Sequence, residues 1–319
     1  PSLQNLVIFD NHAIGGDSGG GGLCVYNGGS PALFSCIFQS NSADWGGAVK
    51  VSMGSSSVFY NTLAFENQAD KGGAIVVWDS NATITHSTLT ENNASTGGAL
   101  YVGGGANATV ANSIVWDNNA TSDPNLKKDG ASNLTSDHSI IQGSLGDLPD
   151  ANPLFADPIH NDFRLRIGSP AIDAGNVDRA GALPVDYGGV NRTIDGGPDL
   201  GIYEGAVDAV NLGGLVSYSG LIETGVYRVW LMDVSGNRVK ELFMAAPGAF
   251  SFVVERGHSY KVKAFLDANE DGWPNQSDPW AYHDHSPIQI NESRSDFDVH
   301  LEDAPVETNA TVSGTVHYE

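Results

Sequence analysis

The run "DANEDGWPNQSD", from Asp267 to Asp278, places oxygen donors at fixed steps. Counting from Asp267, Asn269 stands third, Asp271 fifth, Gly272 sixth, Trp273 seventh and Asp278 twelfth. A hard Ca²⁺ ion takes roughly six to eight oxygens, and a loop of this spacing delivers them from alternate side chains, one main-chain carbonyl and a distal carboxylate. Asp267, Asn269, Asp271, the Trp273 carbonyl and Asp278 would supply most of that set, and Gly272 permits the sharp turn. Calcium is the cofactor these residues call for. Two departures weaken the grip: Pro274 follows the carbonyl position, and position twelve is Asp rather than the longer Glu.

The residues before the loop, "YKVKAF", read as a strand, so the loop is EF-hand-like but set between strands. Its expected role is to stiffen the loop and a domain junction; an acidic surface turn is the plainer reading. In "YHDHS", His283 and His285 would share one strand face and could hold a transition metal, but no third ligand stands at a matching spacing. Asp173, Arg192, Asp199 and Glu204 read as a charged cluster or as hydrogen-bonding groups of a capping segment, with capping the preferred reading. Cys24 and Cys36 are the only cysteines; they could form a bridge across one turn of the fold or remain free buried thiols.

The elements that carry these residues announce themselves as a repeat. Gly-Gly pairs stand at Gly21-Gly22, Gly46-Gly47, Gly72-Gly73 and Gly97-Gly98. An Asn recurs at Asn41, Asn67, Asn92 and Asn118, preceded three residues earlier by Phe38, Ala64, Leu89 and Val115; Ile8 with Asn11 is an earlier copy. Two markers sharing one period, with short β-type runs between them, predict one coil of a parallel β-helix per repeat, about three strands to a coil. Stacked Asn residues would form a hydrogen-bonded ladder at one corner. Cys24, Val49, Ile75 and Leu100, then Tyr26, Val51, Val77 and Val102, are expected to point inward. Cys36 falls with Thr62, Ser87 and Ser113 at a small-residue position. The residue two before each ladder Asn points outward: Phe9, Gln39, Phe65, Thr90 and Trp116. Phe9, Phe65 and Trp116 would contact a glycan or a second subunit, or lie beneath a loop or cap segment.

The pieces "FQSN", "GGAV", "GGAI" and "GGAL" resemble the repeats of polymorphic outer-membrane and autotransporter-like β-helix proteins, over about residues 5–120. The match departs where Phe is replaced by Ile8, Ala64, Leu89 and Val115. The runs "DFRLRIGSPAIDAG" and "DLGIYEG" resemble the closing segment of secreted bacterial β-helix proteins of the choice-of-anchor Q type. That resemblance implies final coils plus a cap over residues 150–205 and a secreted or surface location. From Val210 the texture changes to alternating strands, similar in order to prealbumin-like or carboxypeptidase-regulatory-like modules, which implies an Ig-like or prealbumin-like sandwich. "VSGTVHY", Val312 to Tyr318, repeats the pattern of "LGGLVSY", Leu212 to Tyr218. The expected fold is therefore all-β: a right-handed parallel β-helix over 1–205, a sandwich over 206–309, and over 310–319 the first strand of a truncated second copy, or a strand that adds to a neighbouring molecule.

Composition bounds the function. The net charge is −23 and both halves are acidic, so the basic footprint of a nucleic-acid partner is absent. No apolar run is long enough to span a membrane. The nine Asn-x-Ser/Thr sequons, among them Asn81, Asn107 and Asn119, are weak evidence for glycosylation in so Asn-rich a chain. A lyase on an acidic polymer needs a positioned base and neutralising cations, but Lys50 and Lys71 stand alone on their coils; a glycosidase needs paired carboxylates at one cleft. The reading is a non-enzymatic extracellular structural or adhesive surface segment, with other copies of itself or matrix polysaccharide as partners. The alternative is a polysaccharide-binding or polysaccharide-degrading β-helix.

Overall fold

The computed structural model describes residues 1–15, 19–143, 145–179, 184–192, 196–275, 278–284 and 286–303. The strand expected within 310–319 and His285 lie outside them. The chain divides into two compact units, Pro1–Val207 and Asp208–Glu319.

The first unit is a parallel β-solenoid with four sheets, one more strand per coil than the repeat alone suggests. The first sheet stacks Ser2–Gln4, Ala32–Phe34, Ser56–Tyr60, Asn81–Thr85, Asn107–Ala111 and Asn133–Asp137. The second stacks Val7–Phe9, Ile37–Gln39, Leu63–Phe65, Thr88–Thr90, Ile114–Trp116 and Ile140–Ile141. The third is the additional one: Ser42–Trp45, Gln68–Lys71, Asn93–Thr96 and Asn119–Ser122. These polar runs have little β propensity of their own; backbone pairing to the coils on either side holds them extended. The fourth stacks Leu23–Val25, Val49–Ser52, Ile75–Trp78, Leu100–Gly103 and Leu126–Lys128.

Like sits over like. Phe38, Ala64, Leu89 and Val115 are fully buried, as their spacing requires. The Asn ladder is continuous: the Nδ2 group of each Asn donates to Oδ1 of the next, Asn11 to Asn41 at 2.8 Å, Asn41 to Asn67 at 3.1 Å, Asn67 to Asn92 at 2.9 Å and Asn92 to Asn118 at 2.9 Å. A second ladder uses hydroxyls: Ser87, Ser113 and Ser139 each accept at Oγ from the backbone N–H one coil earlier, at 3.1 Å. Asp147 ends it by accepting from Ser139 N at 3.1 Å. Outside, Asn107 donates to Asn81 and Asn133 to Asn107 at 3.0 and 2.9 Å, so the sequon spacing reflects an outward Asn column.

The glycine register differs by one residue in the first coil. Gly20, Gly46, Gly72 and Gly97 take the left-handed turn conformation, and at Gly73 a Cβ would run into the Gly98 carbonyl oxygen. The equivalent pair at the start is therefore Gly20-Gly21, and Gly22 occupies the position of Ala48. Leu23 pairs with Val49 and Val25 with Val51, while Cys24 pairs with Lys50. Cys24 and Tyr26 consequently point out and are exposed, contrary to the inward assignment. Cys36 is buried, and both thiols are free, so the structure contains no Cys24–Cys36 bridge.

The second unit packs two sheets face to face. Ala249–Glu255, Ala209–Tyr218 and Val299–Leu301 form one; Arg238–Met244, Val226–Met232, Ser259–Asp267 and Trp280–Tyr282 form the other, with Ile288–Gln289 pairing at Ser259–Tyr260. Leu212, Phe252 and Val299 meet Val229, Val262 and Leu266 in one core. No helix among the described residues is long and apolar enough to cross a membrane.

Candidate functional site

Four places can be tested against the expectations. The first is the segment after the coils. Phe155–Asp157 pairs with Asp162–Arg166, which pairs with Ala206–Val207. This segment lies along the outer side of the second sheet and does not simply plug the last coil. Its Phe155, Phe163, Leu165, Leu200 and Ile202 pack on Leu63, Phe65, Ile114 and Ile140. Phe65 and Phe163 meet edge to face at 5.4 Å. Phe65 is therefore only 4% exposed and Trp116 is partly buried, so neither is the open glycan contact of the expectation; Phe9, beyond this cover, is 64% exposed. Period two gave the outward direction correctly. The covering layer comes from about a hundred residues away in sequence, which periodicity does not reveal.

Corner residues serve as handles for that cover. Asn61 and Asn112 both have positive φ, which turns their amides outward. Asn61 donates to the Val185 carbonyl at 2.9 Å and accepts from Arg192 Nη2 at 2.8 Å. Asn112 exchanges hydrogen bonds with the Asn176 backbone at 2.8 and 3.0 Å. Arg192 is fully buried; it also donates to the Gly201 carbonyl at 3.0 Å and pairs with Glu204 at 3.4 Å. Asp199 accepts from Asp173 N and Gly205 N at 2.7 and 2.8 Å. The four residues singled out in the sequence do come together, as a hydrogen-bonding frame. Asp186, not singled out, completes it by accepting from Val190 N at 2.6 Å and Glu204 N at 2.7 Å. Burial pushes the Glu204 carboxyl up to about 7 and Arg192 down to about 10, so desolvation outweighs their mutual attraction across this long pair.

The second place is a groove of about 740 Å³ along the third sheet. An alanine column, Ala43, Ala69, Ala94 and Ala120, runs between Ser42, Gln68, Asn93 and Asn119 on one side and Asp44, Asp70, Ser95 and Thr121 on the other. Among the described residues the lining holds no Lys or Arg. A smaller cleft of about 230 Å³ at the edge of the cover holds Glu91, Trp116, Asp117 and Arg166. Burial, then the neighbouring Glu66 and Asp117, push Glu91 up to about 7. Glu66, Glu91 and Asp117 share one left-handed corner of successive coils. An acidic residue recurring at that repeat position was the signal sequence reading could have used.

The third place is the aspartate loop. Asp267, Asp271 and Asp278 each offer an oxygen within 4.8 Å of the others. Asp267 and Asp278 are buried and Asp271 is exposed. Asp267 accepts from Asp271 N and Gly272 N at 3.1 and 3.0 Å, and Asp278 from Asn275 N at 3.1 Å; these bonds wrap the loop around its carboxylates. Asn269 Nδ2 donates to Asp271 at 2.9 Å, and Trp273 is exposed, resting on Trp230 at 5.6 Å. Arg228 Nε already holds Asp267 at 2.7 Å. The donors are all oxygens and suit a hard cation, with Arg228 as a competing charge on one of them. The fourth place is His283, whose Nδ1 lies 3.0 Å from the Asp298 carbonyl and whose ring centre lies 4.5 Å from that of Phe297, the two planes tilted by 33°.

Among known proteins, the family model for the right handed beta helix region matches residues 3–144. No curated protein and no solved structure matches the chain.

Proposed function

We propose that this right-handed β-helix chain is a non-enzymatic structural or adhesive segment of an extracellular surface protein, a stiff stalk followed by a calcium-stabilised sandwich. The observation that carries the reading is the unbroken Asn ladder from Asn11 to Asn118 above a continuous apolar core. From Asn41 to Asn118 the coils are held to one another by buried side-chain bonds as well as by backbone pairing. Such a body resists bending and presents repeated outer columns at coil spacing. Its partners on this reading are further copies of itself or a matrix polysaccharide. Light scattering across protein concentration, with and without Ca²⁺, tests the assembly. Mass that grows with concentration supports a stalk that polymerises; a monomer at every concentration leaves polysaccharide as the partner.

Calcium at Asp267, Asn269, Asp271, the Trp273 carbonyl and Asp278 belongs to this reading. Titration with CaCl₂ should give measurable heat and raise the melting temperature of the sandwich, and Asp278→Ala should remove both effects. A wild-type protein indifferent to millimolar Ca²⁺ would mean that Arg228 alone balances Asp267.

A polysaccharide-degrading β-helix is the second reading, favoured by the cleft that joins Glu91, Asp117 and Trp116. An acid held near neutrality beside a second carboxylate is the arrangement that hydrolysis of a glycosidic bond uses. Release of reducing ends, or of unsaturated products absorbing in the ultraviolet, from a panel of polysaccharides would establish it. No release from any of them returns the cleft to a structural role.

A further inference from the structure

The outer face of the larger sandwich sheet carries side chains that neither the groove nor the aspartate loop uses. Along Val226–Met232 and Ser259–Asp267, Val229, Leu231, Val262 and Ala264 enter the core. Alternation therefore turns Arg228, Trp230, Lys261, Lys263 and Phe265 to the opposite side. Trp280–Tyr282 adds Trp280 and Tyr282 there, with Ala281 packed inward. Trp230 meets Phe265 edge to face at 5.0 Å and is buried beneath its neighbours. Trp273 is 63% exposed, Trp280 50% and Tyr282 43%.

Cations thread between these rings. Lys263 Nζ lies 4.5 Å from the Trp280 ring centre, 5.4 Å from Tyr282 and 5.8 Å from Trp230. Arg238 lies 5.1 Å from the Trp230 ring and 5.7 Å from Trp273. Both arginines are committed: Arg228 pairs with Asp267 and Glu241, and Arg238 with Glu241. Lys263 has no carboxylate within ion-pair distance among the described residues. Burial already pushes its ammonium below the ordinary lysine range. Arg228, Arg238, Lys261 and Lys263 stand here among Glu241, Asp267 and Asp271, and Lys263 is the cation set apart from these acids, between the rings.

Exposed rings in this number are unfavourable in water, and an ammonium partly stripped of water gains from a counter-charge. A ligand that presents apolar ring faces and a carboxylate satisfies both. We propose that this face binds a carboxylated polysaccharide, its sugar rings stacked on Trp280, Tyr282 and Trp273 and a uronate carboxylate paired with Lys263. A polynucleotide, which also offers ring faces and negative charge, is the competing occupant, and retention on single-stranded DNA separates the two. The inference names the partner class of the adhesive reading and rests on it.

The test uses the full chain on immobilised polygalacturonate and on the same polymer after reduction of its carboxyl groups. Wild type should be retained by polygalacturonate, and Trp280→Ala should weaken retention at least tenfold. Lys263→Gln should lower it to the level of the reduced polymer, on which that variant and wild type behave alike. Unchanged melting curves show that both variants fold. Gln68→Lys, at an exposed position lining the groove of the β-helix, should leave retention intact. The proposal is overturned if wild type is retained by neither polymer, if Lys263→Gln binds polygalacturonate as wild type does, if Gln68→Lys with an unchanged melting curve abolishes binding, or if single-stranded DNA retains the protein more strongly. Light scattering reads stalk assembly independently, so lost glycan binding with intact assembly sinks this inference alone.

Discussion

On the second sheet of the β-helix, Phe65 and Trp116 point away from the core and are packed over by Phe163 and its neighbours, whereas on the sandwich Trp273, Trp280 and Tyr282 point away from the core and stay exposed. The local pattern is the same for Phe65, Trp116, Trp280 and Tyr282, each an aromatic residue one step from an inward apolar one, while Trp273 reaches the face from a loop. What differs is whether the chain returns. The described residues between 155 and 207 come back over the second sheet and dock on polar handles, Asn61 and Asn112, whose left-handed corners turn them outward. The sandwich face has cations woven among its rings in place of such handles. An outward aromatic is therefore a statement about one core only, and a second layer has to be identified by its own anchors.

Removing the strongest anchor should turn the covered face into an uncovered one. Arg192→Ala leaves Glu204 buried without its partner and strips Asn61 Oδ1 and the Gly201 carbonyl of a donor. Loss of one member of a buried pair costs about 3–5 kcal/mol. We expect a melting transition of the cover below that of the coils, with dye binding to the newly exposed Phe65 and Phe155. A single unshifted transition would show that apolar contact alone holds the cover.

A smaller loss separates the coils from the sandwich in another way. Asn92→Ala deprives Asn67 N of its acceptor at 3.0 Å and Asn67 Nδ2 of one of three, and takes a donor from Asn118 Oδ1 and from the Ala64 and Thr90 carbonyls. Buried groups left unpaired cost about 1–3 kcal/mol each, so the β-helix should lose about 2–4 kcal/mol while the sandwich transition stays in place. A denaturant titration followed by hydrogen exchange at coils on both sides of Asn92 measures this.

Much of the coil was legible because the fold repeats its own chemistry. Asn41, Asn67, Asn92 and Asn118 keep their period since each must meet the next, and Phe38, Ala64, Leu89 and Val115 keep theirs since they share one core column. Cys24 was misassigned where that redundancy fails: the run Gly19 to Gly22 offers no side chain to mark the register, and a slip of one residue reverses the face. The third sheet was hidden because its strands are polar and are extended only by their neighbours. The frame around Arg192 was half legible: its charged residues were visible, but their partner Asn61 lies 131 residues away. The sandwich face escaped notice because Lys263, Trp280 and Trp273 come from a strand, another strand and a loop that only the folded sheet brings together.

The subtlest contrast lies at the edge of the cover, where Glu91 sits between Glu66 and Asp117 on successive corners. Burial first, and those two carboxylates next, raise its folded pKa from 4.5 to about 7. The folded state therefore holds this proton more tightly than the unfolded chain does. Its contribution to stability is fully present below about pH 4.5 and is lost as pH rises to about 7. His86, lowered to about 3 mainly by burial, acts in the opposite sense between about 3 and 6.5, but it is common to wild type and variant and cancels in their difference. Glu91→Gln cannot ionise, so its melting temperature relative to wild type should climb steadily between about pH 4.5 and pH 7 and level off above that. A gap that is flat across the window would mean that Glu91 ionises as a solvated carboxylate does, and that the cover leaves this corner open to water.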